Sequence, residues 1–153
     1  MALQSSVGIT VGVSATLPTT HDDDASTGFP GMTYIACGKL SGPPSMTGVF
    51  DTANFDDIST GEETKIVDML RAGAGELMFG YDGADTGQVA LETAADATSD
   101  ATKKVALEFT LANGDVYYRL AIITSYTPIA AIGSVLMATI AAEFYRKHIK
   151  VAA

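Results

Sequence analysis

Between residues 76 and 126, apolar and polar positions alternate with a period of two, and a helical spacing interrupts them once. In Glu76–Asp82, Leu77, Phe79 and Tyr81 fall on one face and Glu76 and Asp82 on the other, as in a half-buried strand. Lys104–Leu111 repeats the pattern with Val105, Leu107, Phe109 and Leu111. Between these runs, Asp85 followed three residues later by Gln88 matches a capping box, and Ala90, Leu91, Ala94 and Ala95 supply an apolar stripe. A short helix is therefore predicted, ending over Asp96–Asp100. Asn113-Gly114 predicts a type I′ hairpin, because both residues tolerate positive φ, with Asp115–Tyr126 returning antiparallel. A last strand is expected from Ser134 to about Tyr145.

Upstream the signals are weaker. Val7–Ala15 reads as a short strand or an extended arm, residues 17–31 as a loop, and Met32–Leu40 as a strand. Ser41–Gly61 holds Pro43-Pro44 with small and acidic residues, and reads as a long inter-strand loop. It also carries Val49, Phe50, Phe55 and Ile58, so it either docks on another surface or folds back over its own core. Glu62–Leu70 reads as a strand, although its mixture of charges also permits a helical turn. These elements predict a mainly β (α+β) fold: an antiparallel β-sandwich or barrel-like domain with one short α-helix and a long inter-strand loop. At 153 residues one domain is expected, without an internal repeat.

Charge narrows the function. The chain carries 18 acidic and 9 basic residues, the wrong balance for binding nucleic acid by neutralising phosphates. Asp51–Asp100 holds 12 of the acids with only Lys65 and Arg71 as bases, whereas from Lys103 onward bases outnumber acids six to three. Such asymmetry is compatible with head-to-tail contact between copies, or with ordinary solvated faces. The single cysteine, Cys37, excludes an intrachain disulfide and reads as a small buried hydrophobe. The first residues lack the basic and apolar regions of a secretory signal. Leu120–Ala142 is uncharged and is followed by Arg146, Lys147, His148 and Lys150, which by length could form a membrane helix. Thr124–Pro128 and Gly133-Ser134 break that run, and two strands joined by a loop near Pro128–Gly133 are the preferred reading; a small membrane protein anchored by residues 120–142 is the alternative.

No catalytic motif emerges. His21-Asp22-Asp23-Asp24 has neither the spacing of a calcium loop nor distant partners, and reads as a solvated acidic loop. Gly73-Ala-Gly75 lacks the third glycine of a dinucleotide fingerprint and leads into a strand. No enzyme activity, cofactor or metal is expected.

An ordered set of segments points elsewhere. Ala15-Thr-Leu-Pro-Thr-Thr20 precedes an acidic loop, and the first confident strand ends Cys37-Gly-Lys-Leu40. Phe50 and Asp56-Asp57 follow in a long loop, then Phe79-Gly-Tyr-Asp82 and the Asp85–Gln88 helix start. Phe109-Thr-Leu-Ala-Asn-Gly-Asp115, Ile123-Thr-Ser-Tyr126 and Met137-Ala-Thr-Ile140 complete the order. In this order the chain resembles the tail tube proteins of long-tailed bacteriophages, over nearly its full length. The resemblance implies one tail-tube domain, 1–153, with an N-terminal arm and loop (1–31), a long inter-ring loop (41–61) and a C-terminal tail (145–153). It implies a structural subunit whose homo-hexameric rings, each with a continuous inner β-barrel, stack into a hollow conduit for genome delivery. Expected partners are tape-measure, tail-terminator and baseplate or tip proteins, with DNA passing through unbound and no membrane involved. The virion tail is the expected location, assembled in the bacterial host cytoplasm; a tube component of a related injection or secretion system is a close variant. Val49, Phe50, Phe55, Asp56, Asp57 and Ile58 are the implied inter-ring contacts. Glu76, Asp82 and Glu108, opposite apolar strand faces, are the candidates for an acidic lumen that repels DNA.

Overall fold

The computed structural model describes residues 8–42, 47–129 and 135–153. Its strands are β1 (Thr10–Ser14), β2 (Ile35–Cys37), β3 (Leu40–Gly42), β4 (Val49–Asp57), β5 (Glu62–Arg71) and β6 (Ala74–Gly80). Helix α1 (Thr86–Asp96) and the single turn α2 (Asp100–Lys103) precede β7 (Lys104–Thr110), β8 (Val116–Ile129) and β9 (Met137–Val151). Seven strands form one antiparallel sheet in the order β2-β1-β7-β8-β9-β6-β3, which is not closed into a barrel; β4 and β5 form a separate two-stranded sheet.

Alternation divides the core between the two faces of the sheet. Val105, Leu107 and Phe109 of β7, Ala121 and Ile123 of β8, and Ile140, Ala142 and Phe144 of β9 pack with Leu91 and Ala94 of α1. The opposite face places Ala106, Tyr118 and Leu120 against Phe29, which is fully buried. Phe29 stacks on Tyr118 with ring centroids 5.5 Å apart and thereby pins the 15–34 loop over that end of the sheet. Asp24 shapes the loop: its carboxylate accepts from the Ser26 hydroxyl (2.7 Å), the Ser26 amide (2.8 Å) and the Thr27 amide (3.0 Å), which holds its pKa well below the ordinary range. The acidic run 22–24 is thus a structured turn.

The helix begins where the sequence places it, because the Asp85 carboxylate accepts from the Gln88 amide at 3.0 Å. The Gln88 side chain, however, does not complete the box. Buried, it accepts from the Asp82 amide and donates to the Gly38 and Gly80 carbonyls, stitching α1 to two strand ends.

Several expectations are corrected. Of the two readings of Val7–Ala15, the strand holds: Thr10–Ser14 is β1, an interior strand paired with β2 and β7, while Val7 lies outside the described residues. The single strand expected over Met32–Leu40 is two, broken at Gly38-Lys39, where Lys39 has φ +60°. The turn after β7 is not type I′. Only Gly114 has positive φ (+91°), and Leu111 accepts from Gly114 (3.0 Å) and donates to Asp115 (2.8 Å), as in a type I turn closed by a bulge glycine. Residues 145–151 are not a tail but the end of β9, held by β8 through pairs such as Tyr118–Ile149 and Val116–Val151. Residues 120–129 and 137–142 lie in β8 and β9, and among the described residues no helix is long and apolar enough to cross a membrane. The expected loop near Pro128–Gly133 falls in part on residues 130–134, outside the described residues.

The largest correction concerns residues 41–61. From Val49 to Asp57 they form β4, which pairs with β5 from Val49–Arg71 out to Asp57–Glu62. Gly61, with φ +73°, donates to the Asp57 carbonyl at 2.8 Å and closes the tip. Proline, small residues and acids suggest a loop, but the β-branched and aromatic residues Val49, Phe50, Thr52 and Phe55 suit a strand once Glu62–Arg71 lies alongside.

Candidate assembly interface

The β4–β5 hairpin leaves the body as an arm. Val49, Phe55 and Ile58 are 69%, 64% and 97% exposed, and Phe50, Ile66, Val67 and Met69 are also exposed. Cross-strand pairs share a face and alternation continues along β4 through the register shift between Phe50 and Thr52, so Val49, Phe55 and Ile66 line one side of the arm and Phe50 and Val67 the other. Both sides are therefore apolar and uncovered. A two-stranded hairpin is marginal in water at best, so this arm lacks the third layer that would stabilise it. The exposure of Val49, Phe50, Phe55 and Ile58 extends to Ile66, Val67 and Met69 of β5, whose only signal in the sequence is Ile66-Val67, masked by the charges around it.

Charge concentrates at the tip. Asp56 faces Glu63 and Asp57 faces Glu62. Asp57 accepts from the Ser59 hydroxyl (2.6 Å) and amide (2.8 Å), and these bonds hold its carboxyl below the usual range. Nearer the root, Arg71 pairs with Asp51 at 2.5 Å.

The three acidic lumen candidates occupy different settings. Glu76 is exposed on β6, opposite Ala141 of β9, which in turn faces Ser125 of β8. With Met78, Thr139, Thr127 and the exposed Glu143, these residues form a strip of small, polar and acidic side chains on the face opposite α1, beyond the cover of Phe29. Asp82 lies past the end of β6, in the turn before α1, paired with Lys39 at 2.7 Å; that hydrogen bond leads in lowering its pKa. Glu108 is half-buried on β7, hydrogen-bonded to Tyr118 and near Tyr34, and desolvation raises its pKa. Glu143, which shares the open strip with Glu76, was missed because the pattern of β9 is obscured by its run of alanines.

Among the described residues, no group of three or more His, Cys, Asp and Glu side chains is placed to hold a metal. Cys37 is buried and its thiol is pushed up to about 12, chiefly by desolvation, so it is not a ready nucleophile.

No protein-family model matches the chain, and no curated protein is similar to it in sequence. Solved structures do match. A chain of the PVC sheath–tube complex, an extracellular contractile injection system in its extended state, is 18% identical over 95% of this chain and 88% of its own, with a TM-score of 0.63. A chain of the sheath/tube terminator of that system is 16% identical over 99% of both chains, with a TM-score of 0.66. The SPP1 tail tube is 14% identical over 95% of this chain and 77% of its own, with a TM-score of 0.56. The chain has the tail-tube fold. Within that fold, the described residues form an open antiparallel sheet, with α1 on one face and the β4–β5 arm as a separate two-stranded sheet.

Proposed function

We propose that this chain is the structural subunit of a tube, with six copies in each ring and rings stacked into a hollow conduit. The observation that carries this is the arm: two apolar faces left uncovered on a sheet too small to stand alone. A second copy of the chain is the partner that would cover them, with Val49, Phe50, Phe55, Asp56, Asp57 and Ile58 in contact between rings. Edge strands of neighbouring sheets would join into the inner barrel, satisfying backbone groups that the open sheet exposes.

The lumen follows from the open strip. Glu76 and Glu143, on strands with small neighbours, would face the bore and repel phosphate, so that DNA passes without sticking. At physiological salt this repulsion reaches about 8 Å and acts mainly near the wall. Asp82 and Glu108 are held by local partners and are the weaker candidates for that role. Tape-measure, terminator and baseplate or tip proteins would complete the tail, which would be assembled in the host cytoplasm and carried on the virion.

The fold neighbours from a contractile injection system favour a second reading, in which the same tube carries a cargo other than a genome. Negative-stain microscopy of the purified subunit at rising concentration tests the common element. Sixfold rings or striated hollow tubes are expected; a monodisperse particle even with a terminator or tip partner added would overturn it. Glu76→Lys with Glu143→Lys separates the two cargoes, since genome ejection should slow while tube length is unchanged.

A further inference from the structure

The arm joins the body through Ala72-Gly73, and one buried cation stands at that joint. Arg119 of β8 is 2% exposed. Its guanidinium lies 3.9 Å from the centroid of the Phe144 ring, and its Nη2 donates to the Ala72 carbonyl at 2.5 Å. The Phe144 amide donates to the next carbonyl, Gly73, at 2.9 Å, and Gly73 itself has φ +85°. The Arg119 guanidinium and the Phe144 backbone amide thus hold two successive carbonyls at the point where β5 ends and β6 begins.

We propose that Arg119 is a positioning residue that latches the arm, fixing the direction in which it leaves the body and so whether it reaches a neighbouring copy. This rests on the tube reading only for its consequence; the latch itself is a property of one chain. Burying a charged group is unfavourable unless it is well paired, and an apolar side chain would cover Phe144 without that penalty. Only a group that stacks on the ring and also donates in the ring's neighbourhood can hold the Ala72 carbonyl. Arginine does both, where a lysine has no planar face to stack. The positive φ of Gly73 sets the change in chain direction, and the Arg119 bond keeps the adjacent peptide from rotating about it.

The test reads arm direction and not stability. Spin labels at Ser59→Cys and Ala112→Cys, in a Cys37→Ala background, report the distance from the arm tip to the body. One narrow distance peak is expected for the parent chain, and a peak at least twofold broader for Arg119→Met, with tube formation at least tenfold slower. An unbroadened peak in Arg119→Met overturns the latch. Should that variant fail to fold by far-ultraviolet circular dichroism, Gly73→Ala decides. A Cβ there meets nothing within 4 Å, so the body keeps its packing while the joint is strained. A moved or broadened peak in Gly73→Ala supports the latch, and an unchanged one overturns it. If the parent chain forms no tubes while the peak responds, the tube reading fails and the latch stands. If tubes form and the peak does not move, the reverse holds.

Discussion

Asp57 and Glu62 stand directly opposite each other in the last register pair of the arm, and Asp56 and Glu63 repeat the arrangement one pair earlier. Four carboxylates therefore crowd a hairpin tip with no covering layer. Like charges directly opposite weaken strand pairing by a few tenths to about 1 kcal/mol. Glu62→Lys should reverse this and strengthen the arm by about 0.5 kcal/mol. Amide exchange over residues 53–66 would then slow; unchanged or faster exchange would show that the facing pairs carry no strain.

Ile58, at the very tip, touches almost nothing within its own chain. Ile58→Asp should leave the urea midpoint of the unassembled subunit unchanged, within about 0.5 kcal/mol. The same change should abolish tubes in negative stain, because it places a charge where an apolar contact is needed. Normal tubes would remove Ile58 from the interface.

Glu108 supplies a pH signature. Desolvation raises its folded-state pKa, against a smaller lowering by the Tyr118 hydrogen bond. For a raised carboxyl, the proton binds the folded state more tightly. Its favourable contribution is therefore full below the unfolded pKa, about 4.3, and is lost as pH rises through the folded value. Glu108→Gln keeps an acceptor for Tyr118 and removes the charge. Thermal unfolding should show the variant more stable than the parent at pH 7, and the difference should vanish at pH 4. A difference independent of pH would mean that burial of the charge is not the cause.

Gly87 shows how closely α1 is seated. A Cβ there would lie 2.5 Å from the Ala36 carbonyl oxygen and 2.6 Å from Cys37 Sγ. Because the oxygen belongs to backbone, it cannot swing aside. Gly87→Ala should cost about 1–3 kcal/mol by overpacking, despite the better helix propensity of alanine. Denaturant unfolding checks this, and a stabilised variant would mean that α1 shifts freely on the sheet.

Local sequence pattern marks the elements that the chain buries within itself. Leu77 and Phe79, then Val105, Leu107 and Phe109, alternate because one side of each strand meets the core and the other does not. Asp85 marks the helix start because the cap is a contact between near neighbours. Tertiary structure decided what has no local partner. Arg119 meets Ala72 across 47 positions, Gln88 joins Gly38 across 50, and Glu108 reads as a surface acid until Tyr118 and the 15–34 loop close over its face. The arm was the least legible element for a physical reason. Neither of its faces is buried in the subunit, so selection for a core imposed no hydrophobic–polar alternation on β4, and its strand character emerged only from the register with β5.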